Sequence, residues 1–546
     1  MKSIYNYLFL IAIACSAISC ADQLETSPLA SLDQDKVWTS EANAMTALMG
    51  CYKGNIPYNG TGFETDFCSY GGLMFLEFAS DNAFDRRATT TGNSTLHKLS
   101  DGTLNTSNGS ISNYWANGYK KVARCNQFIE NVDRLQAPQA VIDRMKSEAR
   151  FLRAIQFFFL SQYFGDVPLV EKSLTPDEAN NVTKTSKADI YKFLEKEFSE
   201  IADILPRHKD ITGSETGRAT AQAALVFLGK LYLADKQFAK AATAFKRIMD
   251  WGDNQIDPDY QTIFFPGNKH SSENIFSTQY LEALAGNALP QHAYPAIANG
   301  WHLVCPLGSL WESYDFINGE PFSFDNPLYD PFNIGKNRDP RLSYTLLYDG
   351  SEFKGRKYIC HPDSSRSLDQ LGAGKQTTYT GLGLRKTFDE GYGGALLLYG
   401  GNTVVSRYAE VLLSYLEAEL EAGTAITQEM LDLTVNKVRG RTSVNMPPIT
   451  ETNSDKLRPL LRNERRVELA LEGHRYWDLL RWGIAHEVLS GDFYGTPFPG
   501  ANNMRKKDGV TDPHDRWFVI TRNFRNPQDY QWPIPQSEQD INPNLR

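Results

Sequence analysis

Four residues in the middle of the chain, Gly229, Tyr232, Ala241 and Phe245, have the spacing expected of two closely packed antiparallel helices. Gly229 lets the two helices approach each other, and Ala241 gives the second helix a small contact surface. Tyr232 and Phe245 then fill the space between them. Because one helical pair cannot bury its outer faces by itself, the pattern predicts that other pairs stack against this one.

Helical periodicity recurs elsewhere and predicts a repeated scaffold. Further candidate pairs are residues 149–164 with 188–204, and residues 404–422 with 427–440. The spacing around Gly229 is that of a tetratricopeptide repeat, whereas the other segments lack most residues of that pattern. We therefore predict a mostly α fold, an irregular tetratricopeptide-like helical-pair scaffold with long loop-rich insertions and short β-hairpins.

Two regions interrupt the helical periodicity and are predicted to be insertions, at about 55–118 and 255–400. Pro, Gly, Asn and Asp recur in the second region, where short apolar runs at 344–348 and 395–399 predict strands. Long loops on a rigid scaffold commonly carry function. We expect these insertions to hold the ligand-binding residues.

The beginning of the chain has the layout of a secretory signal. A short apolar run is followed by the small residues Ala17 and Ser19 and then by Cys20, an order that resembles a bacterial lipobox. Residues 1–19 are therefore predicted to be a lipoprotein signal peptide, with Cys20 as the lipidated first residue of the mature protein. Residues 20–36 would then be a polar, lipid-anchored tether to the membrane. The alternative is a plain signal peptide with an accidental cysteine.

Charge and aromatic content narrow the class of ligand. The formal net charge is −9 and there is no long basic run, which argues against nucleic acid as a partner. Aromatic residues make up 12% of the chain. Those that are exposed would be good platforms for a flat, uncharged ligand.

No cofactor and no metal site is predicted. The cysteines outside the signal region have long spacings without a C-x-x-C pattern, so they indicate neither a disulfide framework nor a zinc site, although an exported protein could form one or two bridges. These cysteines are Cys51, Cys68, Cys125, Cys305 and Cys360. The acidic turn Asp325–Asp330 could hold calcium, but a solvated loop is the simpler interpretation.

Two C-terminal segments, Arg462–Gly483 and Tyr530–Pro535, resemble the signature of the SusD/RagB family. Shorter matches occur in the expected order at Gly217–Thr220, Arg338–Leu342 and Arg407–Leu412. Because the resemblance spans nearly the whole chain, residues 37–546 are expected to form one SusD-like domain.

The resemblance implies an outer-membrane lipoprotein of Bacteroidetes-type bacteria, exposed at the cell surface. Such proteins are mostly helical and lie as a lid on a SusC-like TonB-dependent transporter barrel. They capture nutrients for import, most often oligosaccharides. The lipobox and the aromatic excess agree with this expectation.

The C-terminal signature contains Glu464, Glu468 and Glu472 at a four-residue spacing. A glycosidase needs two carboxylates that face each other across a substrate, whereas these three are predicted to share one helix. Glu464 falls in an apolar stripe, and a buried carboxylate is tolerated only when it is paired. We predict structural ion pairs rather than catalysis, with Arg407 as the partner of Glu464 and Arg475 in the same cluster.

A sugar ring presents an apolar face and a rim of hydroxyls, so its binding site needs an aromatic platform flanked by polar side chains. Within the family, such aromatics come from N-terminal loops and from the inserted middle region. Trp301 is the best candidate because it lies in a turn-rich segment, whereas Trp311 is equally consistent with core packing. The predicted ligand-binding residues are Trp301, Tyr294, Trp311, His302, Phe84, Asn82 and Arg86.

The sequence therefore favours a non-catalytic protein that captures an oligosaccharide and delivers it to a partner transporter. One alternative is a peptide-binding lid of the RagB type. A second alternative is a surface glycoside hydrolase that uses carboxylates of the inserted loops. A third is a structural lid whose partner holds most of the affinity for the ligand.

Overall fold

The structure is a computed structural model that describes residues 37–54, 66–89, 95–373 and 376–546. The predicted signal peptide, Cys20 and the tether lie outside the described residues. Within the described ranges, no helix is both long enough and apolar enough to cross a membrane.

Helices dominate the architecture, and short 3₁₀ turns connect many of them. The α-helices are α1 (Glu41–Tyr52), α2 (Gly109–Asn131), α3 (Gln139–Phe164), α4 (Pro176–Ala179), α5 (Lys187–Ile204), α6 (Ala221–Ala234), α7 (Phe238–Trp251), α8 (Leu289–Ala293), α9 (Gly308–Glu312), α10 (Pro340–Thr345), α11 (Tyr408–Glu421), α12 (Gln428–Leu433), α13 (Val435–Arg439), α14 (Ser454–Glu468), α15 (Arg475–Trp482), α16 (Ala485–Val488) and α17 (Gln536–Ile541).

Six of these helices form the scaffold, in which each packs along the next in the order α2, α3, α5, α6, α7 and α11. Side-chain caps begin three of them, from Asn108, Ser186 and Thr220. The mostly α prediction is confirmed, and so is the packing of 149–164 against 188–204. The predicted pairing of 404–422 with 427–440 is present only in part, because α11 contacts α12 and α13 but packs chiefly along α7.

The helical pair around Gly229 has the predicted geometry. A methyl group added at Gly229 would lie 2.5 Å from Cζ of Phe245, so the contact between α6 and α7 has no room for a side chain here. Tyr232 is almost fully buried, and its hydroxyl donates a hydrogen bond of 2.8 Å to Glu195 on α5. The second helix ends at Gly252, which adopts a left-handed conformation with φ of 66°.

The strands are short and form two-stranded antiparallel pairs. They are β1 (Ala83–Asp85), β2 (Asn274–Thr278), β3 (Val304–Pro306), β4 (Leu346–Leu347), β5 (Glu352–Phe353), β6 (Arg356–Lys357), β7 (Gly383–Leu384), β8 (Thr403–Arg407), β9 (Gly491–Pro497) and β10 (Arg516–Arg522). The pairs β5–β6 and β9–β10 are hairpins. The pairs β1–β3, β2–β8 and β4–β7 instead join segments that are distant in the sequence.

The predicted strands in the middle region are only partly present. In the run 344–348, residues through Thr345 belong to α10 and only Leu346–Leu347 form a strand. The strand predicted at 395–399 is wrong, because this run forms turns and a single bridge from Tyr399 to Asn287.

Part of the first insertion is core rather than surface, since residues 66–85 are all buried. The main core continues from there between the scaffold and the C-terminal helices. Phe158 on α3 lies 5.5 Å from Phe227 on α6 and 6.1 Å from Trp477 on α15, measured between ring centroids. All five cysteines of the described residues are buried and free.

We predict that Gly229→Ala lowers the free energy of unfolding by about 1–3 kcal/mol, because the new methyl group overpacks the contact with Phe245. Gly50 is a matched control, because it lies inside α1 and, beyond its own helical turns, no atom lies within 4 Å of the position that a methyl group would take. Gly50→Ala should be stabilising by up to about 1 kcal/mol through helix propensity. Denaturant titration measures both changes, and equal effects would contradict the close packing.

Candidate ligand-binding site

A buried cluster of charges lies where the end of α14 meets β8. Arg407 contacts Glu273 at 2.6 Å and contacts Glu468 and Glu472 at 2.7 Å each. Arg441 contacts Glu273 at 3.1 Å and Glu468 at 2.5 Å. These five side chains are at most 4% exposed, so each charge is compensated inside the protein rather than by water.

The cluster extends from both ends of the glutamate row. Arg341 on α10 contacts Glu464 at 2.5 Å and Glu468 at 2.9 Å, and Glu464 also pairs with Arg439. At the other end, Lys386 contacts Glu472 at 2.7 Å and donates to the carbonyl oxygen of Glu468 at 2.8 Å. Lys386 therefore caps the C-terminus of α14 and also neutralises a carboxylate.

The arginines keep these carboxylates ionised. Burial raises the pKa of Glu464, but the nearby Arg341 and Arg439 lower it below its ordinary value. Burial likewise opposes ionisation of Glu472, yet Arg407 and Lys386 lower its pKa to about 2. Carboxylates this strongly paired cannot serve as a general acid near neutral pH.

The predicted ion-pair cluster is present, but two of its details are wrong. Arg407 binds Glu468 and Glu472, whereas Glu464 takes Arg341 and Arg439 as its partners. The helix also ends at Glu468, so Glu472 lies in the turn that follows it rather than on the same helix.

Arg475 belongs to a second ion-pair group, which holds the strand β1. Its guanidinium binds the two carboxylate oxygens of Asp81 at 2.8 and 3.0 Å, and Arg466 contacts the same carboxylate at 2.8 Å. Arg466 also donates to the side-chain oxygen of Asn82 at 2.8 Å, while the Asn82 amide donates to Glu77 at 2.9 Å. The C-terminal signature thereby fixes the residues that immediately precede β1.

Three of the predicted ligand-binding residues in the middle region are core residues. Tyr294 is fully buried, with its ring 4.6 Å from that of Phe388. Trp311 is fully buried, and its indole N–H donates to the carbonyl of Ile334 at 3.1 Å. His302 is fully buried as well. The prediction is wrong for these three because residues from later segments cover their side chains, so a turn-rich sequence does not by itself expose its aromatic residues.

Two predicted residues of the N-terminal region are also unavailable to a ligand. Asn82 is fully buried, and both ends of its amide are engaged by Glu77 and Arg466. Phe84 is 2% exposed and stacks on Tyr379 at 5.2 Å between ring centroids. Both residues lie beneath the protein surface and do not form part of it.

Trp301 and Arg86 remain at the surface and lie next to each other. Both side chains are partly exposed, and Nε of Arg86 donates to the carbonyl of Trp301 at 2.9 Å. The indole of Trp301 lies 5.3 Å from the buried ring of His292, which supports it from below. Two predicted ligand-binding residues that are 215 residues apart in the sequence therefore meet at one edge of β1 and β3.

Asp369 fastens the segment that carries Trp301. This buried carboxylate accepts hydrogen bonds from the backbone N–H groups of Ala296 and Ile297 at 2.6 and 3.0 Å. It also lies 3.6 Å from Nδ1 of His302, the residue after Trp301. The turn is thus held from both sides of the tryptophan.

Three residues that sequence reasoning missed continue this surface. Tyr379, Arg505 and Phe518 are partly exposed, and the Arg505 guanidinium lies 4.8 Å from the Tyr379 ring and 5.5 Å from the Phe518 ring. Tyr379 adjoins β3 because its backbone N–H points to Sγ of Cys305 at 3.3 Å. No periodicity or motif marks these three residues, since they come together only through long-range folding.

The loop that carries Arg505 is fastened by the same segment that fastens Trp301. Asp363 accepts hydrogen bonds from the backbone N–H groups of Asn502 and Asn503 at 2.8 and 2.9 Å. Because Asp363 and Asp369 lie six residues apart in one segment, the two loops have a common support. We call the partly exposed set Trp301, Arg86, Tyr379, Arg505 and Phe518 the ligand face.

The ligand face offers aromatic rings and guanidinium donors, which suit stacking and hydrogen bonding. In the part of the chain that the structure describes, no group of three His, Cys, Asp or Glu residues is placed to hold a metal ion. In the acidic turn at 325–330, Asp330 is partly exposed and forms an ion pair of 3.1 Å with Lys336.

Comparison with known proteins now assigns the family. The model of the SusD family matches residues 260–546, which is more than half of the chain. The chain belongs to the SusD family. A second family model, described as starch-binding and associating with the outer membrane, matches residues 71–233. The resemblance seen in the C-terminal signature is therefore confirmed.

Solved structures and curated relatives from this family cover most of the chain. A SusD-like carbohydrate-binding protein from Bacteroides fragilis is 49% identical, with a TM-score of 0.89, and the match covers 93% of this chain and 100% of that one. SusD-like protein P2 from Formosa agariphila is 23% identical over 99% of this chain and 98% of its own length. The fold is also shared with surface glycan-binding protein A from Bacteroides thetaiotaomicron, solved with laminarihexaose, at 20% identity and a TM-score of 0.67, over 93% of this chain and 99% of that one.

We predict that Glu464→Gln lowers the free energy of unfolding by about 3 kcal/mol or more, because Arg341 and Arg439 lose a buried counter-charge. Ligand binding by the folded variant should persist, since Glu464 is 1% exposed. Glu429 is a matched control on the exposed side of α12, where Glu429→Gln should change stability by less than about 0.5 kcal/mol. Retained stability with lost ligand binding would contradict the structural role.

Proposed function

We propose that this SusD-family protein captures an oligosaccharide at the cell surface without cleaving it and passes it to a SusC-like TonB-dependent transporter barrel. The observation that carries the proposal is the ligand face, where Trp301 stays partly exposed on a rigidly fastened turn. A stacked platform binds the apolar face of a sugar ring, and neighbouring donors hydrogen-bond its hydroxyls. A shallow site suits a chain of sugars that lies across it better than a deep pocket does.

Trp301 and Tyr379 lie close enough to contact one ligand. The backbone from Trp301 to Cys305 spans at most about 14 Å, and the backbone N–H of Tyr379 points to Sγ of Cys305. One oligosaccharide can therefore contact both residues. Each contact adds affinity without requiring the protein to rearrange, because both loops are already fastened.

The relatives support carbohydrate as the ligand class. The protein from Bacteroides fragilis is described as carbohydrate-binding, and the one from Bacteroides thetaiotaomicron is bound to laminarihexaose. The second family model is described as starch-binding. A saccharide is thus favoured over the peptide ligand of a RagB-type lid.

The carboxylates beside the ligand face are occupied by hydrogen bonds, which favours binding without hydrolysis. Asp369 and Asp363 support the ligand face, and their carboxylate oxygens accept hydrogen bonds from backbone N–H groups. A glycosidase would instead need two carboxylates free to act on opposite sides of a glycosidic bond. The row of buried glutamates is enclosed by arginines and does not reach the face.

The proposed place of action is the outer membrane. The family description associates these proteins with that membrane, and the lipobox ending at Cys20 supplies an anchor. Several acyl chains on one cysteine would bury enough CH₂ groups, at about 0.8 kcal/mol each, for lasting attachment. Surface exposure would then present the ligand face to incoming polysaccharide fragments.

We predict that Trp301→Ala weakens oligosaccharide binding at least about tenfold, equivalent to about 1.4 kcal/mol, because the stacking platform is lost. Trp251→Ala is a matched control, since Trp251 is also partly exposed but lies at the end of α7, stacked with Arg207 and Arg247. Affinity electrophoresis on a panel of polysaccharides, followed by calorimetry with the retained glycan, measures both variants.

The same gels distinguish capture from hydrolysis. Retardation of the protein without release of reducing sugar is the expected result. Equal retardation of both tryptophan variants would show that the platform lies elsewhere. Steady release of reducing sugar by the purified protein, with turnover proportional to its concentration, would replace capture by catalysis.

A further inference from the structure

Arg505 occupies an unusual position in the ligand face. It lies in the loop between β9 and β10, and its guanidinium is stacked over the rings of Tyr379 and Phe518 at 4.8 and 5.5 Å. It also donates a hydrogen bond to the Tyr379 hydroxyl. Its backbone carbonyl accepts from the N–H of Phe518 at 3.0 Å, so the residue is held at both its backbone and its side chain.

The charge of Arg505 has no carboxylate within 4.0 Å among the described residues. Other arginines nearby differ in this respect. Arg516, on the same hairpin, contacts Glu312 at 3.0 Å and Asp512 at 2.9 Å. Arg87, next to Arg86, contacts Asp85 at 2.8 Å. Local ion pairs therefore neutralise those charges, whereas the charge of Arg505 remains available to an anionic ligand.

The aromatic contacts prepare this guanidinium for an anion. The Tyr379 and Phe518 rings lie against the guanidinium and restrict its rotamers, so little conformational entropy is lost on binding. The fork of N–H donors matches the oxygens of a carboxylate or sulfate group. An ion pair that is partly shielded from water is stronger than one on an open surface.

We propose that the oligosaccharide bound by this protein is anionic, and that Arg505 binds a carboxylate or sulfate group on a sugar near the one stacked on Trp301. This inference rests on the proposed function and specifies its substrate class. The direct route between the two residues runs from Trp301 to Cys305 in β3 and then to Tyr379, against whose ring Arg505 lies. One saccharide chain could therefore contact both residues.

The test compares charged and neutral forms of the same backbone. Polygalacturonate and its fully methyl-esterified form differ in carboxylate charge, and laminarin sulfate and laminarin differ in sulfate charge. Binding of each polymer to the full-length protein and to its variants is measured by affinity electrophoresis and calorimetry at low and high salt. The carboxylate and sulfate arms separate the two sources of the negative charge.

We expect the unaltered protein to prefer at least one charged polymer over its neutral counterpart, and salt to reduce that preference. Arg505→Gln should weaken binding of the charged polymer about tenfold or more and weaken binding of the neutral polymer by a smaller factor, because the neutral polymer loses only a hydrogen bond to a hydroxyl. Arg505→Lys, which keeps the charge but loses the fork, should lie between the two. Lys506→Gln is the matched control, because it removes an exposed neighbouring charge.

Three outcomes measured on the unaltered protein and on Arg505→Gln overturn the proposal. They are retention of neutral polymers alone, equal weakening of charged and neutral polymers by Arg505→Gln, and no binding of either charged polymer. Trp301-dependent retention of a neutral polymer would leave oligosaccharide capture standing while the anionic assignment fails. Loss of preference in Lys506→Gln equal to that in Arg505→Gln would show general charge attraction and would also overturn the role of Arg505.

Discussion

The fold depends on buried pairing between the glutamates at the end of α14 and arginines from distant parts of the chain. Glu468 alone joins Arg341, Arg407 and Arg441, which come from three separate segments. Breaking such a pair leaves an unpaired charge in the interior, which is energetically costly. The segments are therefore held together strongly once they have folded. The helical scaffold, the strand pair β2–β8 and the C-terminal helices meet at this cluster.

Ion pairs of the same kind also hold in place the segments that carry the ligand face. Asp81 binds Arg466 and Arg475 of the C-terminal signature, and it lies two residues before β1. The strand β1 pairs with β3, and beyond these strands Arg86 meets Trp301. Asp369 and Asp363 fasten the remaining loops through backbone N–H groups. These carboxylates thus have structural roles, and the groups exposed to the ligand are aromatic rings and guanidinium groups.

The sequence allowed the scaffold to be predicted because helical periodicity is local. Gly229 and Phe245 are close in the sequence, and their spacing alone indicates the contact that the structure shows. The existence of buried ion pairs could be predicted, since a glutamate in an apolar stripe requires a counter-charge. The partners could not, because the choice between Arg341 and Arg407 depends on how segments more than 50 residues apart are arranged.

The ligand face was the least predictable part. Tyr294 and Trp301 lie in one turn-rich segment, yet one ring is buried against Phe388 and the other is partly exposed. Composition cannot separate them, because burial here is decided by loops that arrive from other segments. Arg505 and Tyr379 carry no motif at all, and they meet through long-range contacts that hold the loop of Arg505, from Asp363 to Asn503 and from the Phe518 N–H to the Arg505 carbonyl.

The most direct test of this account is a crystal structure of the protein with an oligosaccharide that affinity electrophoresis shows to be retained. We expect an intact saccharide chain across Trp301 and Arg505, with the backbone of both loops within about 1 Å of its unliganded position. An oligosaccharide bound on another face of the molecule, or found cleaved in the site, would contradict the account.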